Sequence, residues 1–100
     1  MFPTRETRDG FERLLERDQV HQLLIEAFPE LADRIEVDEA NPLLKIQTGR
    51  GGAVILWKGE VEGIVQWRLA SPDRGGVKVS APSSIEAFPR LVGQCLGLDG

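Results

Sequence analysis

Ala53-Val54-Ile55-Leu56-Trp57-Lys58-Gly59-Glu60-Val61, followed directly by Glu62-Gly63-Ile64-Val65-Gln66-Trp67-Arg68-Leu69-Ala70, decides how this chain folds. Aliphatic and aromatic residues dominate it, and its first run is too short for a helix, so it reads as two strands and a connection. The sequence places the connection at Lys58-Gly59-Glu60. A two-residue Gly-Glu turn of type II′ suits the glycine and sets Trp57 opposite Glu62. A three-residue loop instead sets Trp57 opposite Val61 and Ala53 opposite Val65. The second register is preferred, because it gathers Ala53, Ile55, Trp57, Val61, Val65, Trp67 and Leu69 on one face. A shift of a single residue would turn that face outward. Both tryptophans read as core, and the competing reading is an exposed stacking platform.

Working outward, Arg34 to Asp38 alternates apolar and charged residues, as an edge or half-wet strand does. Asn41-Pro42 marks a turn, Leu44, Ile46 and Thr48 alternate with Lys45 and Gln47, and Val77 to Ser80 closes the set. Short connections between consecutive strands predict an antiparallel meander of four or five strands.

A near-repeat brackets this β region. Ile25-Glu26-Ala27-Phe28-Pro29-Glu30-Leu31 returns as Ile85-Glu86-Ala87-Phe88-Pro89-Arg90-Leu91. The flanks differ, which speaks against duplication. The preferred reading is two equivalent helix pieces docked on one sheet by a Phe-Pro wedge. Before the first copy, Thr7 to Phe28 is helical in pattern. Its stripe of Phe11, Leu14 and Leu15 does not line up with its stripe of Val20, Leu24, Ala27 and Leu31. Either the helix is buried broadly, or it breaks near Arg17-Asp18 with Asp18 as an N-cap. Pro29 ends or kinks it. In the second copy, Ser83 and Glu86 have capping-box spacing, ahead of a helix to about Leu98 with apolar Leu91, Val92, Cys95 and Leu98. A start at Pro89 is the alternative. Gly93 and Gly97 weaken this helix. The expected architecture is one α+β domain over residues 1–100, with both helices on one sheet face.

Composition narrows the function. The chain has 100 residues, 41% hydrophobic and 28% charged, as an ordinary globular domain does. No apolar run is long enough to span a membrane, and the mixed charge of Met1 to Glu6 reads as no signal peptide. A single cysteine, Cys95, and a single histidine, His21, give neither a disulfide nor a set of metal ligands. Cys95 reads as a small buried hydrophobe and His21 as a boundary residue. A Cys–His nucleophile would need an exposed, activated thiolate, so that pairing is disfavoured. The carboxylates fall on exteriors, with nothing to predict the shifted pKa of an acid–base catalyst. No cofactor motif is present. These exclusions predict a non-enzymatic, cytoplasmic protein.

Two candidate surfaces remain. Residues 1–44 hold five Arg against eleven Asp and Glu, a net of −6. This acidic helical half, with Glu12, Glu16 and Glu30, is the expected contact surface for another protein, as in an adaptor, chaperone or inhibitor. Uncovered strand residues, including an edge, would support a homodimer. The alternative is an anion or nucleic-acid rim. Arg50-Gly51-Gly52 and Arg74-Gly75-Gly76 each precede a strand, and a meander brings both loops to one end of the sheet, about 10 Å apart. Arginine forks and glycine N–H groups suit phosphate or carboxylate. Arg68 and Lys78 would extend the rim onto a sheet face.

Overall fold

A computed structural model describes residues 5–48, 51–73 and 75–97. The chain is α+β. A helix, α1 (Arg5–Ala27), leads through a 3-10 segment, Pro29–Arg34, into β1 (Ile35–Val37) and β2 (Leu43–Gln47). Next come β3 (Ala53–Val61), β4 (Ile64–Asp73) and β5 (Gly76–Ser80). A 3-10 turn, Ile85–Ala87, then opens α2 (Phe88–Leu96). The five strands pair only with their sequence neighbours, all antiparallel, in the order β1-β2-β3-β4-β5. The expected meander is therefore observed with all five strands.

The register of the central hairpin differs from both expectations. Lys58, Gly59 and Glu60 do not turn. They continue β3, pairing with Trp67, Gln66 and Val65, and the chain reverses at Glu62-Gly63 between Val61 and Ile64. Both turn residues have positive φ, 54° and 81°. Two such residues in a two-residue loop form the turn whose twist matches the twist of the strands. Moving the turn sets Trp57 opposite Arg68 and Leu56 opposite Leu69. The predicted single face of Trp57 and Trp67 is thus split. Trp67 is buried in the core, and Trp57 lies on the other side of the sheet.

The face toward the helices collects Leu44, Ile46, Val54, Leu56, Trp67 and Leu69, all buried. Val20 and Leu24 of α1, Leu31 of the 3-10 segment, and Phe88 and Val92 of α2 close this core. Phe88 meets the Trp67 ring edge-on, with centroids 5.8 Å apart and planes at 81°, a favourable aromatic geometry. α1 is continuous, so Asp18 is no N-cap: it sits inside the helix and accepts from Arg17 Nη2 at 2.9 Å. The mismatch of stripes resolves by burial. Val20 and Leu24 face the core, Leu14 is half-buried, and Leu15 and Ala27 are exposed.

The two copies of the near-repeat adopt opposite backbones. In the first, the helix ends at Ala27, Phe28 leaves helical geometry with its N–H still bonded to Leu24, and a 3-10 segment follows Pro29. In the second, the 3-10 turn comes first and the helix starts at Phe88, with Pro89 in its first turn. The pieces are not equivalent. The capping box does not form either: Ser84, not Ser83, is the N-cap of the 3-10 turn, and it makes no side-chain cap bond. Gly93 has a packing reason. A Cβ there would lie 2.9 Å from Phe28 Cζ, so glycine lets α2 close on the ring from the other copy. α2 ends at Gly97, whose φ of 70° suits a glycine C-cap.

The turn between β1 and β2 is built on Asp38. Its Oδ1 accepts from the backbone N–H of Ala40 at 2.9 Å and of Asn41 at 3.0 Å, and from Asn41 Nδ2 at 3.2 Å. The Arg17 guanidinium donates to the carbonyl oxygens of Asp38 and Glu39, tying α1 to this turn. The Ala40 N–H above all, helped by the Asn41 groups and Arg17, holds the Asp38 carboxyl below its ordinary value of 3.8 against the opposing effect of desolvation. A lowered carboxylate pKa favours the folded state above the unfolded value and loses that contribution as pH falls through the folded one. Asp38→Asn keeps an acceptor oxygen and removes the titration. The wild type is expected to lose stability more steeply than Asp38→Asn below about pH 4, measured by urea unfolding across the acid range. Identical acid limbs would refute the assignment.

Candidate interaction surface

The face of the sheet turned away from the helices carries the alternate residues of every strand. Register places Glu36 of β1 beside Lys45 of β2, Lys45 beside Ile55 of β3, Ile55 beside Ala70 of β4, and Ala70 beside Val79 of β5. One row toward the hairpin stand Leu43, Trp57 and Arg68. One row the other way stand Gln47, Ala53, Pro72 and Val77. Val61 and Ile64 sit at the far end of the β3–β4 arm. Apart from Gln66 and Arg68 of β4, the polar members gather on β1 and β2, and most of the apolar ones stand on β3 to β5.

A one-sided antiparallel sheet ordinarily turns a polar face to water. Here the outer face is largely apolar. Val77 is 71% exposed, Ile64 57%, Val79 56% and Val61 50%, and all four lie on this face. Single exposed aliphatics need no explanation, but a contiguous patch marks a contact surface. Arg68 is the buried exception. Its guanidinium lies along the arm and donates to the Gly59 carbonyl at 2.8 Å, with longer contacts of 3.5 Å to the carbonyls of Gln66 and Ile64. The charge is thus turned into the backbone.

Of the site residues singled out by sequence, Arg68 alone among the described ones lies on this face, and the others described stand elsewhere. Glu12 and Glu30 are exposed. Glu16 is engaged within the fold: its Oε1 takes the Lys58 ammonium at 2.6 Å and its Oε2 takes Trp67 Nε1 at 3.1 Å. This bond satisfies the buried indole and clamps α1 to β3 and β4. Lys58, Trp67, Ser83 and Ser84 line a cleft beside it, but both carboxylate oxygens are already occupied. Arg50 and Arg74 lie outside the described residues. Of the residues beside them, a Cβ on Gly52 would lie 3.2 Å from Pro72 Cγ of β4. Gly51 is exposed with φ 83°, Gly52 is half-buried, and Gly75 and Gly76 are exposed. Arg68 is not at that end of β4. Lys78 is exposed on β5 and points to the helix side, where it lines a shallow cleft with Ser71, Gln94 and Cys95.

Cys95 is exposed rather than buried, because the inner side of α2 is occupied by Phe88 and Val92. No histidine is among the described residues lining its cleft. His21 is half-buried on α1, as its boundary position predicted. Among the described residues, no group of three or more His, Cys, Asp or Glu is placed to hold a metal ion, and no helix is long and apolar enough to cross a membrane. The outer sheet face was missed in the sequence because the turn was set at Lys58-Gly59-Glu60. With Glu62-Gly63 as the turn, the alternation of β3 to β5 would have revealed it. The chain matches no known family model, no curated protein and no solved structure.

Proposed function

We propose that the chain is a small non-enzymatic binding module of the cytoplasm that acts on another protein, and that its contact surface is the outer face of the sheet. What carries this reading is the placement of Val61, Ile64, Val77 and Val79, each at least half exposed, on the one sheet face that no helix covers. Trp57 and Ile55 stand between them, as an aromatic and aliphatic centre does in contact surfaces. The acidic exterior of α1 and the 3-10 segment after it is the competing surface, and one of its three marked carboxylates, Glu16, already serves the fold.

The test compares immobilised wild type with two variants in capture of partner protein from extract. Val77→Glu with Val79→Glu is expected to weaken capture at least about tenfold, since two charges must enter an apolar contact. Glu12→Lys with Glu30→Lys is expected to leave it intact. Equal capture by the valine variant would refute the surface. The second reading is an anion or nucleic acid held through Arg50 and Arg74. Such binding falls steeply with added salt, and apolar docking does not.

A further inference from the structure

The buried residues of the inner sheet face are aliphatic or aromatic, with one exception. Along β4 the inward positions run Trp67, Leu69 and then Ser71. Ser71 is only 7% exposed. Every fully buried side-chain oxygen or nitrogen among the described residues has a hydrogen-bond partner. The Ser71 hydroxyl has no partner among them, so it opens onto the cleft that Ser71 lines between β5 and α2. A hydroxyl at that depth costs free energy unless a polar group meets it.

We propose that this cleft binds a small aliphatic carboxylate. Ser71 and Lys78 are direct partners across β4 and β5, which sets their Cβ atoms about 5 Å apart on one face. A hydroxyl and an ammonium so placed can donate to the two oxygens of one carboxylate, and charge-assisted bonds are the strong ones. Ser80 stands in the next row, opposite Leu69. Lys78 is exposed and, among the described residues, has no ion-pair partner. No described Asp or Glu lines the cleft. One positive charge there matches one negative charge, whereas a phosphate dianion calls for arginine forks or a further cation.

The rest of the lining suits a hydrocarbon body. Leu91 of α2 faces Leu69 and Pro72 of β4, beside Gln94 and Cys95. Cys95 lies in the last turn of α2, where the helix end carries partial negative charge. The carboxylate is thereby directed to the sheet side and the alkyl group to the helix side. The cleft volume is about 200 Å³, below the range of about 300–1,000 Å³ for drug-sized ligands, so it suits a chain of a few carbons. Lys78 alternates with Val77 and Val79 along β5. The cleft is therefore on the other side of the sheet from the proposed contact surface and is independent of it.

Isovalerate is the probe and Cys95 the reporter, since it is the chain's one cysteine and lies exposed in the cleft. Isovalerate is expected to slow alkylation of Cys95 by the neutral reagent iodoacetamide. The protection saturates with a Kd of about 1 mM, and calorimetric titration gives the same Kd at one site per chain. Isovaleramide has the same shape without the charge and is expected to bind at least about tenfold more weakly. Lys78→Met is expected to weaken isovalerate at least about tenfold, and Ser71→Ala about fivefold. Circular dichroism confirms that both variants are folded. No saturable protection up to about 20 mM, equal protection by the amide, or an isovalerate affinity unchanged in either folded variant overturns the proposal.

Discussion

Phe88→Ala is expected to destabilise the fold by about 3–5 kcal/mol, the usual cost of removing a fully buried aromatic side chain. Small domains have total stabilities of about 5–15 kcal/mol, so this one substitution removes much of what holds the chain together. The size follows from the position. Phe88 is fully buried, caps the Trp67 ring edge-on and occupies the first turn of α2, where it joins helix, sheet and α1. Its counterpart in the near-repeat, Phe28, is half-buried at the end of α1 and rests against Gly93. Phe28→Ala is expected to lose no more than about half as much. Urea unfolding of both variants gives the comparison, and equal losses would contradict the different roles of the two copies.

Leu56→Ala against Ile55→Ala tests the sheet register directly. Leu56 is fully buried between Leu44 and Leu69. Its truncation leaves a cavity in a core that cannot collapse onto it, and the loss is expected at about 3 kcal/mol. Ile55, one residue away, lies on the outer face and is half-buried. Ile55→Ala is expected to lose about 1 kcal/mol or less. A register shifted by one residue reverses the order of the two. Unfolding midpoints of the pair measure it, and a larger loss at Ile55 would refute the observed pairing.

Much of the architecture was legible. The Asn41-Pro42 turn, the alternation of Leu44 and Ile46 and the breaks around Gly51 and Gly75 all place strands correctly, because each depends on local backbone chemistry. The helix–meander–helix order follows from them. What could not be read locally was the site of the central reversal. Lys58-Gly59-Glu60 and Glu62-Gly63 each offer one glycine next to a charged residue. The second wins by burial of Leu56 against Leu69 and of Trp67 against Phe88, which are contacts of the whole fold. That choice of two residues moved Trp57 to the outer face and determined where the candidate surface lies. The bond from Trp67 to Glu16 was hidden for the same reason, since 51 residues separate its ends. Cys95 was misplaced because a nine-residue helix has room for only one narrow inner stripe, and Phe88 and Val92 fill it.

The neighbour-only order of the sheet also bears on how the chain reaches this structure. Every strand pairing closes a short loop, and short loops cost little chain entropy to close. The meander can therefore assemble outward from the β3–β4 hairpin without waiting for either end of the chain. The contacts of α1 are different: Glu16 must find Lys58 and Trp67 across 42 and 51 residues. Contacts of that span cost more chain entropy to close, so they are expected to form after the folding barrier, and Glu16→Gln is expected to speed unfolding more than it slows folding in stopped-flow measurements. On that expectation the Glu16 clamp is a brake on unfolding, set on the helix that joins the sheet from furthest along the chain.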